Sequence, residues 1–262
     1  MHLSGKTGLD MSREGYLDEV FCSIQGEGLY LGYRQVFVRT GGCSAGCIYC
    51  DTRRARNRRK EFEVFGMDET KMIENPVEPE RAASIIRENF IDRFRGIHSV
   101  SLTGGEPLEQ PEFAADLAAE LRKSRIPVYL ETNGLHPDSI LQMRPLLDIV
   151  SLDIKQPALC EGIREIPAVY QRVLTELSGL EVFCKIVLCD GFSGDEFKDS
   201  VNTISGVGRS IPLVIQPVSA TSEEDGCRPP RPDSIMDCYS LASRYLDEVR
   251  VIPQCHKILG IR

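Results

Sequence analysis

Apolar positions alternate at Val20–Ile24 (VFCSI) and again at Gln35–Arg39 (QVFVR), and the second run predicts a β-strand leading straight into a cysteine-bearing loop. Residues 1–19 before them are polar and irregular and read as a lead-in. From Pro79 a regular rhythm sets in. Residues 79–94 and 111–123 place apolar side chains at helical spacing behind prolines suited to a first turn, whereas 99–102 (SVSL), 127–131 (PVYLE) and 148–152 (DIVSL) read as strands. Helices follow over 167–177, 194–204 and 232–246, and strands over 181–188, 211–216 and 248–252. Alternation of this kind predicts an α/β fold, a mainly parallel sheet curled into a partial, open β/α barrel. Ligands of such sheets sit at the carboxyl ends of the strands, which directs attention to the residues just after each strand.

Composition narrows the class. The 262 residues are 42% hydrophobic and 27% charged, enough for one large core, so residues 20–262 read as a single domain. A basic stretch at 53–78, opening with RRARNRRK, breaks the pattern and reads as an inserted loop or small subdomain with a solvated face. The net charge of −8 argues against a phosphate-tracking nucleic-acid binder and favours a small substrate. No run approaches the ~20 apolar residues of a membrane span and the amino-terminal segment has no signal-peptide core, so a cytoplasmic protein is expected.

That compartment changes the meaning of the ten cysteines, because structural disulfides are rare in a reducing environment. Cys43, Cys47 and Cys50 cluster as C-x3-C-x2-C, while Cys22, Cys160, Cys184, Cys189, Cys227, Cys238 and Cys255 are scattered and read as single buried or surface thiols. Three thiolates on one loop suit three irons of an iron–sulfur cube and leave the fourth open to an external ligand. Zinc and unrelated thiols stay open as alternatives from spacing alone, with neither Asp51 nor His98 placed by sequence as a fourth ligand.

The cysteine loop, followed by a strand that ends in Gly104-Gly105-Glu106-Pro107, resembles the radical S-adenosylmethionine (SAM) superfamily over residues 20–257. Within it, FCSIQGEGLYLGYRQVFVRTGGC, the CDT that closes the loop and the later TGGEP, ETNG, SLDIK, IQP and PQCHK segments resemble the 7-carboxy-7-deazaguanine synthase family. The resemblance implies a radical SAM barrel, a [4Fe–4S] cluster on Cys43, Cys47 and Cys50, and SAM contacts from Tyr49, Cys50, Asp51, Gly104, Gly105, Glu106, Asp153, Ile154, Lys155, Gln216 and Pro217. It implies substrate contacts from Ile24, Gln25, Gly26, Glu27, Arg39 and Thr103, with Glu27 and Arg39 also in the catalytic set, and Mg2+ held through the Thr52 hydroxyl. Arg39 has its own rationale, since a guanidinium pairs bidentately with a carboxylate. Gln25 and Glu27 carry groups that match the hydrogen-bonding edge of a pterin.

The implied reaction converts 6-carboxy-5,6,7,8-tetrahydropterin to 7-carboxy-7-deazaguanine and ammonia, through a 5′-deoxyadenosyl radical that takes and returns a hydrogen atom. It belongs to the pathway of queuosine or archaeosine, 7-deazapurine nucleosides of tRNA, with no direct nucleic-acid contact. A homodimer and a one-electron donor such as flavodoxin or ferredoxin are also implied. Pro253, Gln254, His256 and Lys257 lie in a segment that approaches the substrate in some relatives and carry no assigned role. His98 and His136 read as solvent-facing or capping. Two rivals remain at this level: a radical SAM activating enzyme that installs a glycyl radical on a protein partner, and a non-enzymatic iron–sulfur carrier or zinc module.

Overall fold

The computed structural model describes residues 13–164, 167–219 and 227–262; residues 1–12 of the expected lead-in lie outside it. The ten strands of a single sheet are β1 (Leu17–Ile24), β2 (Arg34–Thr40), β3 (Glu61–Phe65), β4 (Thr70–Glu74), β5 (Ser99–Gly104), β6 (Val128–Thr132), β7 (Ile149–Asp153), β8 (Glu181–Leu188), β9 (Leu213–Pro217) and β10 (Val249–Val251). Their order is β10-β9-β8-β7-β6-β5-β2-β1-β3-β4, an open sheet. Only β1–β2 and β3–β4 pair antiparallel, so the mainly parallel architecture expected from the rhythm is present.

The helices are α1 (Pro79–Ile86), α2 (Pro111–Arg122), α3 (Pro137–Met143), α4 (Pro167–Glu176), α5 (Gly194–Val207), α6 (Pro232–Ala242) and α7 (Cys255–Leu259). Five of them open on proline, whose missing N–H costs nothing in the first turn. α3 has only seven residues, which is why no helical period stood out there. The predicted helix over 79–94 continues past α1 as a π-helical turn at Arg87–Ile91. No helix among the described residues is long and apolar enough to cross a membrane.

The pleat of the strands divides the core from the cavity. Val128 and Leu130 of β6, and Val150 and Leu152 of β7, join the main core with the buried faces of α2 and α4. Tyr129, Ile149, Phe183 and Val214 point the other way and form a separate small cluster against Leu29 and Tyr30. Two residues further along the same strands stand Glu131, Ser151 and Lys185. Because side chains alternate with a period of two, this face is apolar toward the amino ends and polar toward the carboxyl ends.

Several expectations are corrected. Of the two alternatives for 53–78, a loop or a small subdomain, a plain loop is excluded: β3 and β4 form a hairpin that extends the sheet beside β1, with Phe62 and Val64 fully buried. Nor is its basic run simply solvated, since Arg54 pairs with Asp18, Glu19 and Glu63, and Arg59 with Asp18. β1 begins at Leu17, inside the expected lead-in, and Gly15 bridges to Val77. Cys189 and Cys227, read as single thiols, form a disulfide across 38 residues of sequence. His98 packs against the rings of Tyr30 and Tyr33 at centroid distances of 4.9 and 4.5 Å, whereas His136 stands at the cap of α3.

Candidate active site

The loop after β2 carries Cys43, Cys47 and Cys50 and is held by backbone bonds on several sides. Gly42 N–H donates to Ala55 (2.7 Å), Cys43 N–H to Arg56 (3.2 Å), and Ile48 N–H to Leu159 (3.0 Å). From the end of β5, Gly105 N–H donates to Thr40 (2.9 Å) and Glu106 N–H to Gly42 (2.7 Å). Gly105 is glycine because of this packing: a Cβ there would lie 2.2 Å from the Gly42 carbonyl oxygen. Gly104 has φ +104°, a left-handed conformation that favours glycine, and its Cβ would strike Arg39. Both glycines thus serve contact within the chain before any cofactor is considered.

An open cavity of about 210 Å3 lies at the carboxyl ends of the strands, and all three cysteines line it. Tyr49, Asp51, Thr52, Gly104, Gly105, Glu106, Asp153, Lys155 and Gln216 line it as well, together with Ile24, Gln25, Gly26, Glu27, Arg39 and Thr103. The exceptions among the residues singled out from sequence are Ile154 and Pro217. Ile154 is buried in the main core, because the alternation that sends Asp153 and Lys155 into the cavity sends it the other way.

Charge in the cavity is paired. Lys185 Nζ lies 2.6 Å from Glu27 and 3.4 Å from Asp153, and Lys155 Nζ lies 2.8 Å from Asp153. Burial alone would raise the Glu27 carboxyl, but the charge and hydrogen bond of Lys185 overcome it and hold the group well below the ordinary range. Burial likewise opposes the charge on Lys185 and Lys155, and the neighbouring carboxylates Glu27 and Asp153 keep both ammoniums protonated. Glu106 is the opposite case. Burial pushes it up to about 7 despite donors from Thr132 (2.7 Å), Asn133 (2.8 Å) and Leu108 (3.0 Å). The Cys47 thiol is held down, chiefly by a hydrogen bond from Cys160.

Arg39 is presented by two fixed partners: Nε donates to Glu19 (2.9 Å) and Nη1 to the Thr52 hydroxyl (3.1 Å). Thr52 in turn donates to Asp51 (3.1 Å). Gln25 lines the cavity with its amide held within the chain, donating to Gln35 (3.1 Å) and Glu131 (2.9 Å) while its oxygen accepts from Glu27 N–H (3.0 Å). It therefore props Glu131, which also accepts from Thr103 (2.9 Å). Sequence reading gave no role to Glu131, although it belongs to the ETNG segment, or to Gln254 and His256, whose segment approaches the substrate in some relatives; it missed Lys185 and Arg262, and all five line the cavity. Gln254 donates to Asp51 (2.8 Å) and Glu27 (3.1 Å), and Lys257 lies 3.4 Å from Asp51. A Cβ on Gly26 would lie 2.5 Å from His256, so the small residue admits α7 to the site.

A family model described as the radical SAM superfamily matches residues 37–158. The chain is 36% identical over 255 residues to a 7-carboxy-7-deazaguanine synthase of Geobacter sulfurreducens, covering 95% of this chain and 99% of that one. Its counterpart in Archaeoglobus fulgidus is 35% identical over 94% of this chain and 98% of its own length. The chain belongs to the 7-carboxy-7-deazaguanine synthase family. Among solved structures, QueE from Escherichia coli shares the fold at a TM-score of 0.61 and 19% identity, covering 93% of this chain and 95% of that one.

Membership in this synthase family and its superfamily brings a [4Fe–4S] cluster and SAM with it. The residues present fit both groups. Three thiol-bearing residues on one pinned loop supply the donor set of a cube with one open iron. Beside them, Asp153 Oδ1 and Gln216 Oε1 are buried without a hydrogen-bond partner in a cavity that both residues line, as expected of acceptors awaiting a polar ligand.

Proposed function

We propose that this synthase-family chain is a radical SAM carbon–nitrogen lyase that converts 6-carboxy-5,6,7,8-tetrahydropterin to 7-carboxy-7-deazaguanine with release of ammonia, in 7-deazapurine nucleoside synthesis. The observation that carries the reading is that the three cysteines share one small, charged cavity with Arg39, Thr103 and Glu131. A cavity of about 210 Å3 suits a small molecule rather than a protein backbone.

When bound, the cluster and SAM supply a radical that removes hydrogen from a substrate carbon. The chain's own task is then to bind and orient. Cys43, Cys47 and Cys50 would hold the cluster; Tyr49, Asp51, Glu106, Asp153, Lys155 and Gln216 would surround SAM, with the Glu106 carboxylate receiving its ammonium. Arg39, aimed by Glu19 and Thr52, would receive the substrate carboxylate. Glu131 offers an acceptor to a ring edge, as does the hydroxyl oxygen of Thr103, whose proton is committed to Glu131, and Gln25 keeps Glu131 in place. Glu27, held as a carboxylate by Lys185, supplies a second acceptor. Mg2+ would be held through the Thr52 hydroxyl, with water and substrate oxygens completing its shell.

The reading also takes in a homodimer, a cytoplasmic location and a protein one-electron donor of the flavodoxin or ferredoxin type. Anaerobic incubation of cluster-reconstituted protein with SAM, reductant, Mg2+ and the carboxypterin tests it, with mass spectrometry for carboxydeazaguanine. Product is expected, and less of it when Mg2+ is chelated. Deoxyadenosine without that product would overturn the substrate and leave the radical chemistry.

A further inference from the structure

Cys160 belongs to no motif, yet its Sγ lies 3.0 Å from Sγ of Cys47. The two residues face each other in an isolated antiparallel bridge. Around them the segments are laced by Ile48 N–H to Leu159 (3.0 Å) and Gly162 N–H to Ala45 (3.2 Å). Facing residues of an antiparallel pair have Cα atoms about 4.5–5.5 Å apart, inside the range of about 4.4–6.8 Å that a disulfide tolerates. The backbone is therefore already placed for a bond, and the sulfurs need to approach by only about 1 Å more. Both residues are buried, Cys47 at 7% and Cys160 at 2% exposure, but Cys47 lines the cavity and Cys160 does not. A small oxidant entering the cavity meets Cys47 first.

We propose that Cys47 and Cys160 form a reversible, peroxide-driven disulfide in the cluster-free protein, a latch that preserves Cys47 for later cluster assembly; this rests on the reading of Cys47 as a cluster ligand. The Cys47 thiolate attacks hydrogen peroxide, the O–O bond breaks, and a sulfenic acid and hydroxide result. The Cys160 sulfur then attacks the sulfenic sulfur, the S–S bond forms, and the thiol proton leaves with the hydroxyl as water. The two sulfurs together lose two electrons and the peroxide gains two. A dithiol reductant reverses the bond, whereas a Cys47 without a resolving partner is exposed to irreversible oxidation to the sulfinic acid. The latch and the cluster exclude one another, because the same sulfur serves both.

Trypsin cuts after Arg39, Arg53, Lys155 and Arg164, so the bond reads out as peptide 40–53 joined to peptide 156–164. Cluster-free protein treated with hydrogen peroxide, alkylated and digested is expected to give this joined peptide, with fragmentation placing the bond at Cys47. It should vanish after dithiothreitol and be absent from protein carrying the cluster. Iron uptake on anaerobic reconstitution should fall at least tenfold in the oxidised protein and return after dithiothreitol. Cys160→Ala should instead gain two oxygens at Cys47 and fail to regain iron. Absence of the joined peptide overturns the proposal, as does full recovery of iron by oxidised Cys160→Ala. If fully reduced protein takes up no iron, the cluster reading fails, and the peptide map still decides whether the disulfide forms.

Discussion

Arg39 reaches the cavity with Nε committed to Glu19 and Nη1 to Thr52, so its orientation is set before a substrate arrives. A charge-assisted pair of this kind contributes about 1.5–3 kcal/mol. Arg39→Ala should therefore raise KM for the carboxypterin roughly ten- to hundredfold, with iron content per chain unchanged; steady-state kinetics beside an iron assay checks both. Glu106 gives a prediction in pH. Its carboxyl is raised from 4.5 to about 7 by burial, so the folded state holds the proton more tightly than the unfolded chain. The resulting stabilisation is complete below about 4.5 and is lost as pH rises through about 7, a change of roughly 3 kcal/mol. Denaturant unfolding of cluster-free protein between about pH 5 and 8 should show a flatter profile for Glu106→Gln than for the parent. Parallel profiles would show that Glu106 is ionised throughout.

Between elements, contact is closest where β5 ends against the cysteine loop. Alanine at Gly105 would put its Cβ 2.2 Å from the Gly42 carbonyl and 2.8 Å from that of Ala55, both backbone atoms that cannot swing aside. Gly105→Ala is expected to displace the loop and cut iron uptake on reconstitution by more than half, with the far-ultraviolet circular dichroism of the sheet retained. Wild-type iron content in a folded variant would show that the loop has slack. The strands and most helices were legible because proline starts and apolar periods are local signals. The β3–β4 hairpin was not, although Glu61–Phe65 (EFEVF) alternates cleanly and Phe62 and Val64 are its buried positions. The arginines ahead of it drew the reading toward a solvated loop, and only their pairing with Asp18, Glu19 and Glu63 shows what they neutralise.

Across the whole molecule, Glu27 after β1, Asp153 at the end of β7 and Lys185 in β8 meet in one buried ion cluster. Removing one member of such a cluster leaves an unpaired charge and costs about 3–5 kcal/mol. Lys185→Met should lose stability on that scale in denaturant unfolding, and adding Glu27→Gln should recover part of the loss; no recovery would mean that the two residues act independently. The sequence by itself determined the α/β alternation, the three-cysteine loop, the TGGEP turn and the end of the strands at which chemistry gathers, because each is written in neighbouring residues. Tertiary structure alone decided that Glu131 and Lys185 face the cavity, that Gln254 and His256 close on Glu27 and Asp51, and that Cys160 meets Cys47 while Cys189 pairs with Cys227. Those meetings join residues 38 to 229 positions apart, and their partners are set by strand order and by which face of each strand turns inward, neither of which a local pattern contains.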